Sequence, residues 1–113
     1  MKWNTLNSAE QLEQIREESK NLSILIFKHS TRCNISRTTL DRLERNWKEE
    51  EMQNIKPYFL DLLSFREISN KIASEFELEH ESPQVLIIRD SKLMYDKSHF
   101  EIEYQKIREA IKN

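Results

Sequence analysis

The chain predicts an α/β domain with a mixed central sheet, helices on both faces and the element order βαβαβαββα. Three observations lead there. Short apolar runs that suit buried strands, Ser23–Lys28 and Gln84–Arg89 above all, alternate with stretches whose apolar residues recur every three or four positions. Strands separated by helices pair in parallel through right-handed crossovers. The last two strand runs are joined only by Asp90-Ser91, short enough for an antiparallel hairpin.

Each element has its own signal. Trp3 to Leu6 is a short strand, and Ser8-Ala9-Glu10-Gln11 then reads as a capping box, with Gln11 three residues beyond Ser8. Leu12 and Ile15 open a helix that runs out near Lys20-Asn21, and Ser23–Lys28 is apolar enough to be central in the sheet. Behind Cys33 a second helix carries Leu40, Leu43 and Trp47 on one stripe, and Lys48-Glu49-Glu50-Glu51 closes it as a solvated charge run. Pro57 to Leu62 is a third strand, its proline near the beginning, where a missing N–H is tolerated. Ser64 to Phe76 is a third helix with Phe65, Ile68, Ile72 and Phe76 on one face. After Ser82-Pro83 come the fourth strand, Gln84–Arg89, and the fifth, Lys92–Tyr95; Phe100, Tyr104, Ile107 and Ile111 mark a closing helix.

Composition narrows the function. At 113 residues the chain, residues 1–113, forms one domain. Its 18 basic and 20 acidic residues leave a net charge of -2, without the clustered basic face that nucleic acid requires. No glycine is present, so a phosphate loop or dinucleotide fingerprint is excluded, and turns are expected to fall to Asn, Asp, Ser or Pro. No apolar leader or membrane-length run stands out, and one cysteine forms no internal disulfide; a reducing cytoplasm is the expected compartment. His29, His80 and His99 are scattered and match no zinc spacing, so no metal is expected. His29 lies close enough in sequence to tune the thiol, though a structural role is the simpler expectation; Asp61 reads as an ordinary strand-end aspartate.

The lone Cys33 is the most informative residue. The second strand delivers it to a turn, and a helix opens just behind it. A helix N-terminus presents unpaired N–H groups and the positive end of the macrodipole, both of which favour a thiolate, the reactive form of the side chain. Ser36, one helical turn on, has a hydroxyl that could donate to the sulfur anion. Arg32 adds positive charge that would favour the thiolate and hold an anionic adduct, unless it is a plain solvated side chain. The place is right for a site, since ligands of open α/β sheets bind at the carboxyl ends of the strands.

Three segments carry a family resemblance: Lys28-His29-Ser30-Thr31-Arg32-Cys33-Asn34-Ile35-Ser36, then Arg66-Glu67-Ile68-Ser69-Asn70, then His80-Glu81-Ser82-Pro83-Gln84-Val85. In this order the chain resembles the bacilliredoxin (YtxJ-like) family of monothiol proteins with the thioredoxin fold. The resemblance implies that Cys33 is the redox-active residue, that Ser36 replaces a second, resolving cysteine, and that Pro83 is a cis-proline facing the site. Asn34 departs from the proline common in the family. Thr31, Arg32, Asn34, Ser82 and Pro83 are the expected substrate contacts, with no bound cofactor and bacillithiol, a thiol built on glucosaminyl malate, as co-substrate. The implied activity is removal of that small thiol from mixed disulfides on oxidised client proteins, with no nucleic-acid or membrane partner. Other readings stay open. The fold could serve as a non-catalytic adaptor with a structural cysteine, Ser82-Pro83 could be a plain trans turn, and monothiol glutaredoxins can hold an iron–sulfur cluster between two subunits, although the glycine usual in their motif is missing here.

Overall fold

The most apolar run becomes the middle of the sheet. Ser23–His29 forms β2, buried at every position, because it is paired on both edges and covered on both faces. The computed structural model describes residues 1–112. The remaining strands are β1 (Asn4–Thr5), β3 (Ile55–Asp61), β4 (Gln84–Arg89) and β5 (Lys92–Ser98), and the helices are α1 (Gln11–Glu18), α2 (Asn34–Asn46), α3 (Arg66–Glu75) and α4 (Tyr104–Ile111). The strand order is β1-β3-β2-β4-β5. β3 is parallel to both β1 and β2, whereas β4 is antiparallel to β2 and to β5.

Strand alternation divides the interior in two. Ile24 and Ile26 point to the side where Leu12 and Ile15 of α1 meet Ile68 and Ile72 of α3. Leu25 and Phe27 point to the other, where Leu43 of α2 and Ile107 of α4 close a second core with Val85 and Ile87. The mixed α/β sheet and the element order follow the sequence reading, but β4, although separated from β3 by α3, enters antiparallel to β2 instead of parallel as a helix crossover was expected to give. Pro57 lies inside β3 rather than near its start, yet breaks no ladder. Its carbonyl accepts from Asn4 Nδ2 at 3.0 Å, so its N–H-less nitrogen also faces the β1 side, where backbone pairing begins only at Tyr58.

Several boundaries differ from expectation for local reasons. Gln11 Oε1 accepts from the Ser8 N–H at 3.0 Å and the Asn7 N–H at 2.7 Å, but α1 has no reciprocal side-chain cap; only half of the capping box forms. Glu49–Glu51 is a separate 3-10 turn. Glu51 is not a free surface charge, since Tyr104 Oη donates to it at 2.6 Å and Arg108 pairs with it at 3.4 Å. β5 continues three residues beyond Tyr95 because β4 pairs with it as far as Gln84↔Ser98. Phe100 belongs to no helical stripe: it sits in a 3-10 turn at His99–Glu101 and is 57% exposed.

Turns without glycine use a wider set of residues than Asn, Asp, Ser and Pro. Asp90 and Ser91 both take positive φ, 52° and 63°, as a two-residue type I′ hairpin requires. Glu77 (φ 50°) occupies the position after the α3 cap that glycine usually fills. There the Leu78 N–H reaches the Ala73 carbonyl at 3.0 Å, closing the helix with a Schellman bond. His99 (φ 56°) makes the fourth such turn residue among those described.

Candidate functional site: a thiol at the carboxyl edge of the sheet

The end of β2 sends its last two side chains to opposite faces, and the chain then turns into α2. The Cys33 N–H closes that turn on the Ser30 carbonyl at 3.2 Å, and the Cys33 carbonyl accepts the first helical bond from Arg37 N, also at 3.2 Å. Cys33 is therefore the N-cap residue of α2, with extended backbone (φ -110°, ψ 118°), and its side chain is partly exposed. Thr31, Arg32 and Asn34 around it are exposed. Asn34 Oδ1 accepts from Arg37 Nη2 at 2.7 Å, bracing the first turn of the helix.

Ser36 is fully buried. Its hydroxyl oxygen accepts the Ser30 N–H at 3.0 Å and lies 2.7 Å from His29 Nδ1. The partners of this hydroxyl are thus His29 and Ser30, and no hydrogen bond joins it to Cys33 among the described residues. His29 itself packs between the rings of Phe27 and Phe59, with centroids 6.2 and 5.4 Å away. Burial is the largest influence on its imidazole and holds its pKa below the ordinary 6.5; Asp61 and Glu44 oppose that and Arg37 adds to it.

The second half of the site enters on β4. The register Lys28↔Gln84 sets the start of β4 beside the end of β2, so Ser82-Pro83 lies alongside the chain that leads to Cys33. The Ser82–Pro83 peptide is cis, the Pro83 carbonyl accepts from His99 N at 3.1 Å, and Ser82 Oγ is buried with no hydrogen-bond partner among the described residues. Gln84 ties the preceding loop down, donating to the Glu79 carbonyl at 3.0 Å.

Beneath that loop lies a residue that sequence reasoning missed. Lys28 is fully buried, and its ammonium donates to the Ser69 carbonyl at 3.1 Å and meets His80 Nδ1 at 3.4 Å. Ser69 Oγ is 3.3 Å from the same ring nitrogen. Burial pulls the Lys28 pKa from 10.5 down to about 8. Burial also lowers that of His80, with the charges of Lys28 and Arg66 adding to the effect and Glu81 opposing it. A signal was present: Lys28 shares parity with Ile24 and Ile26, so strand alternation puts it on the face covered by α1 and α3. Among the described residues no group of histidine, cysteine and acidic side chains could hold a metal, and no helix is long and apolar enough to cross a membrane.

Solved structures share this architecture. A chain described as a candidate oxidoreductase with a thioredoxin fold is 28% identical, covers 94% of this chain and 90% of its own, and superposes with a TM-score of 0.79. Thioredoxins of Fasciola hepatica (21% identity, 96% of each chain, TM-score 0.74) and Trypanosoma brucei brucei (16%, 98% of this chain and 88% of that one, 0.72) share the fold. Fold and site define a thioredoxin-fold protein of the thiol–disulfide redox class with a single cysteine. The chain belongs to a family within that class: the model for monothiol bacilliredoxin BrxC matches residues 4–107.

Proposed function

We propose that the protein is a monothiol exchange protein that removes bacillithiol, or a similar small thiol, from mixed disulfides on oxidised client proteins. The observation that carries this reading is the pairing of one partly exposed thiol at the α2 N-terminus with a buried hydroxyl, Ser36, at the position a resolving cysteine would take. The Cys33 thiolate attacks the small-thiol sulfur of the mixed disulfide; the client departs as its own thiolate and the small thiol stays disulfide-bonded to Cys33. A second free small thiol, as its thiolate, then attacks the small-thiol sulfur of that adduct, giving the small-thiol disulfide and returning Cys33 as thiolate, because a serine oxygen does not resolve a disulfide. Exposed Arg32 supplies positive charge for an anionic carrier such as a malate-bearing thiol. Thr31 in the turn and Asn34 at the start of α2 border the incoming sulfur, and Ser82-Pro83 offers its backbone from the segment just before β4. A lone thiol that must stay free suits a reducing compartment such as the cytoplasm.

The test is intact mass over time after mixing reduced protein with a bacillithiol-capped model client, and with a glutathione-capped client in parallel. Transfer of bacillithiol onto Cys33 with release of client thiol is expected. Transfer from the glutathione client alone would change the carrier, and transfer from neither would favour a non-catalytic adaptor.

A further inference from the structure

Loop 78–83, part of the connection from α3 to β4, carries Ser82-Pro83 and is tied down from three sides. From β4, the Gln84 amide donates to the Glu79 carbonyl at 3.0 Å. From the 3-10 turn His99–Glu101, the His99 N–H donates to the Pro83 carbonyl at 3.1 Å, and the His99 ring lies 3.6 Å from the Glu81 carboxylate. From β2, the fully buried Lys28 meets His80 Nδ1 at 3.4 Å while donating to the Ser69 carbonyl of α3 at 3.1 Å.

The tie to β2 fixes the state of the histidine. An ammonium has three donors and no acceptor, so Nδ1 must accept and the ring proton must sit on Nε2. Ser69 Oγ, 3.3 Å from the same nitrogen, reaches it as a second donor. A proton added to Nδ1 removes the lone pair that both groups use and sets an imidazolium against an ammonium. The His99–Glu81 contact answers acid in the opposite sense, since it is an ion pair only when the His99 ring is charged.

We propose that Lys28 is a positioning residue for the thiol site: it latches neutral His80 and so fixes Ser82-Pro83 beside the chain that leads to Cys33, and protonation of His80 releases the latch. In acid the loop keeps its ties to Gln84 and His99 and loses the one to β2, the strand that delivers the thiol. The inference deepens the exchange reading above and rests on it only for the effect on small-thiol transfer.

The surroundings suit the role. Lys28 is the charge facing His80 from β2, Arg66 the charge from α3, and Glu81 the one within the loop. Burial first, then Lys28 and Arg66, hold the His80 pKa below 6.5, with Glu81 opposing them. The latched loop therefore binds this proton less well than the released loop, and the latch stays shut through neutral pH and gives way on the acid side of 6.5. Lys28 holds its own proton up to about pH 8, so it is a donor throughout that range. His80 is exposed, and water can deliver the proton to it.

The experiment is a nuclear magnetic resonance titration from pH 7.5 to pH 5 of wild type, His80→Gln, His99→Gln and Lys28→Met. In wild type the His80 nitrogen shifts should report a neutral ring with Nε2 protonated. Backbone order parameters of residues 79–82 should fall with the same midpoint as the ring titrates. His80→Gln keeps an acceptor for Lys28 that does not titrate, so its loop should stay ordered across the range. Lys28→Met should move the His80 midpoint up toward 6.5 and leave the loop mobile at pH 7.5. In the intact-mass assay, the ratio of wild-type to His80→Gln transfer rates should fall by on the order of tenfold between pH 7.5 and pH 5, the titration of Cys33 cancelling in the ratio. A neutral ring protonated on Nδ1 would overturn the proposal, as would loop order that ignores the His80 titration. So would a transition that survives in His80→Gln and disappears in His99→Gln. A loop that follows His80 in a protein that accepts bacillithiol from no client at any pH would leave the latch standing and remove the exchange reading.

Discussion

Replacing Lys28 by methionine tests the buried ammonium directly. Burial lowers the folded pKa of Lys28 from 10.5 to about 8, so the folded chain surrenders this proton at lower pH than the unfolded chain does. Below about pH 8 both states hold it, and the full cost of burying charge opposes folding. As pH rises from there toward 10.5, only the unfolded chain keeps the proton, so stability rises with pH. The gap corresponds to about 3 kcal/mol at roughly 1.36 kcal/mol per pH unit, of which about 2 is recovered between about pH 7 and pH 9.5. The tyrosines Tyr58, Tyr95 and Tyr104 are all pushed up from 10, burial being the largest cause, and so ionise above that window. Urea unfolding of wild type and Lys28→Met across this range should therefore show a stability difference that moves by about 2 kcal/mol in favour of wild type as pH rises. Groups common to both proteins cancel in the difference. A difference that stays flat with pH would refute a charged, buried Lys28.

Other outcomes follow from the same geometry. Cys33→Ala should abolish transfer of the small thiol in the intact-mass assay while leaving the circular dichroism of the fold unchanged. Burial tends to raise the pKa of Glu18, but hydrogen bonds from Lys56, Tyr58 (2.6 Å) and Gln14 outweigh it and leave it below 4.5. The stability it contributes is present above pH 4.5 and lost as pH falls through the lowered value, so Glu18→Gln should flatten the acid limb of a urea-midpoint profile. Leu43→Ala opens a cavity under α2 beside Phe27 and should cost about 2–5 kcal/mol in denaturant unfolding. Glu77→Gly relieves a left-handed backbone position at an exposed helix end and should raise stability by about 1 kcal/mol.

Most of the sheet was legible because its signals are local. β2 and β4 announce themselves as apolar runs, the hairpin as two turn-forming residues, and α3 as an apolar stripe. Cys33 was legible because a strand, a turn and a helix start meet around it. The failures share a cause, which is that tertiary partners override local character. Asp96, Lys97 and Ser98 are poor strand formers held in β5 by the ladder to β4, and Phe100 is apolar yet stays exposed in the 3-10 turn His99–Glu101, outside α4. The contact between His29 and Ser36 spans seven residues of strand, turn and helix, a separation that corresponds to no periodic pattern.

The parity of β2 sets what kinds of sequence change the site could survive. Lys28 and His29 are adjacent in the chain, yet one meets Ser69 and His80 while the other meets Ser36, with the thickness of the sheet between them. Substitutions along the strand would alter one compartment at a time. A single-residue insertion or deletion within it would exchange the two side chains, driving an ammonium toward the thiol helix and an imidazole under the proline loop. Lineages of this protein should therefore vary in the letters of this strand while never changing its length.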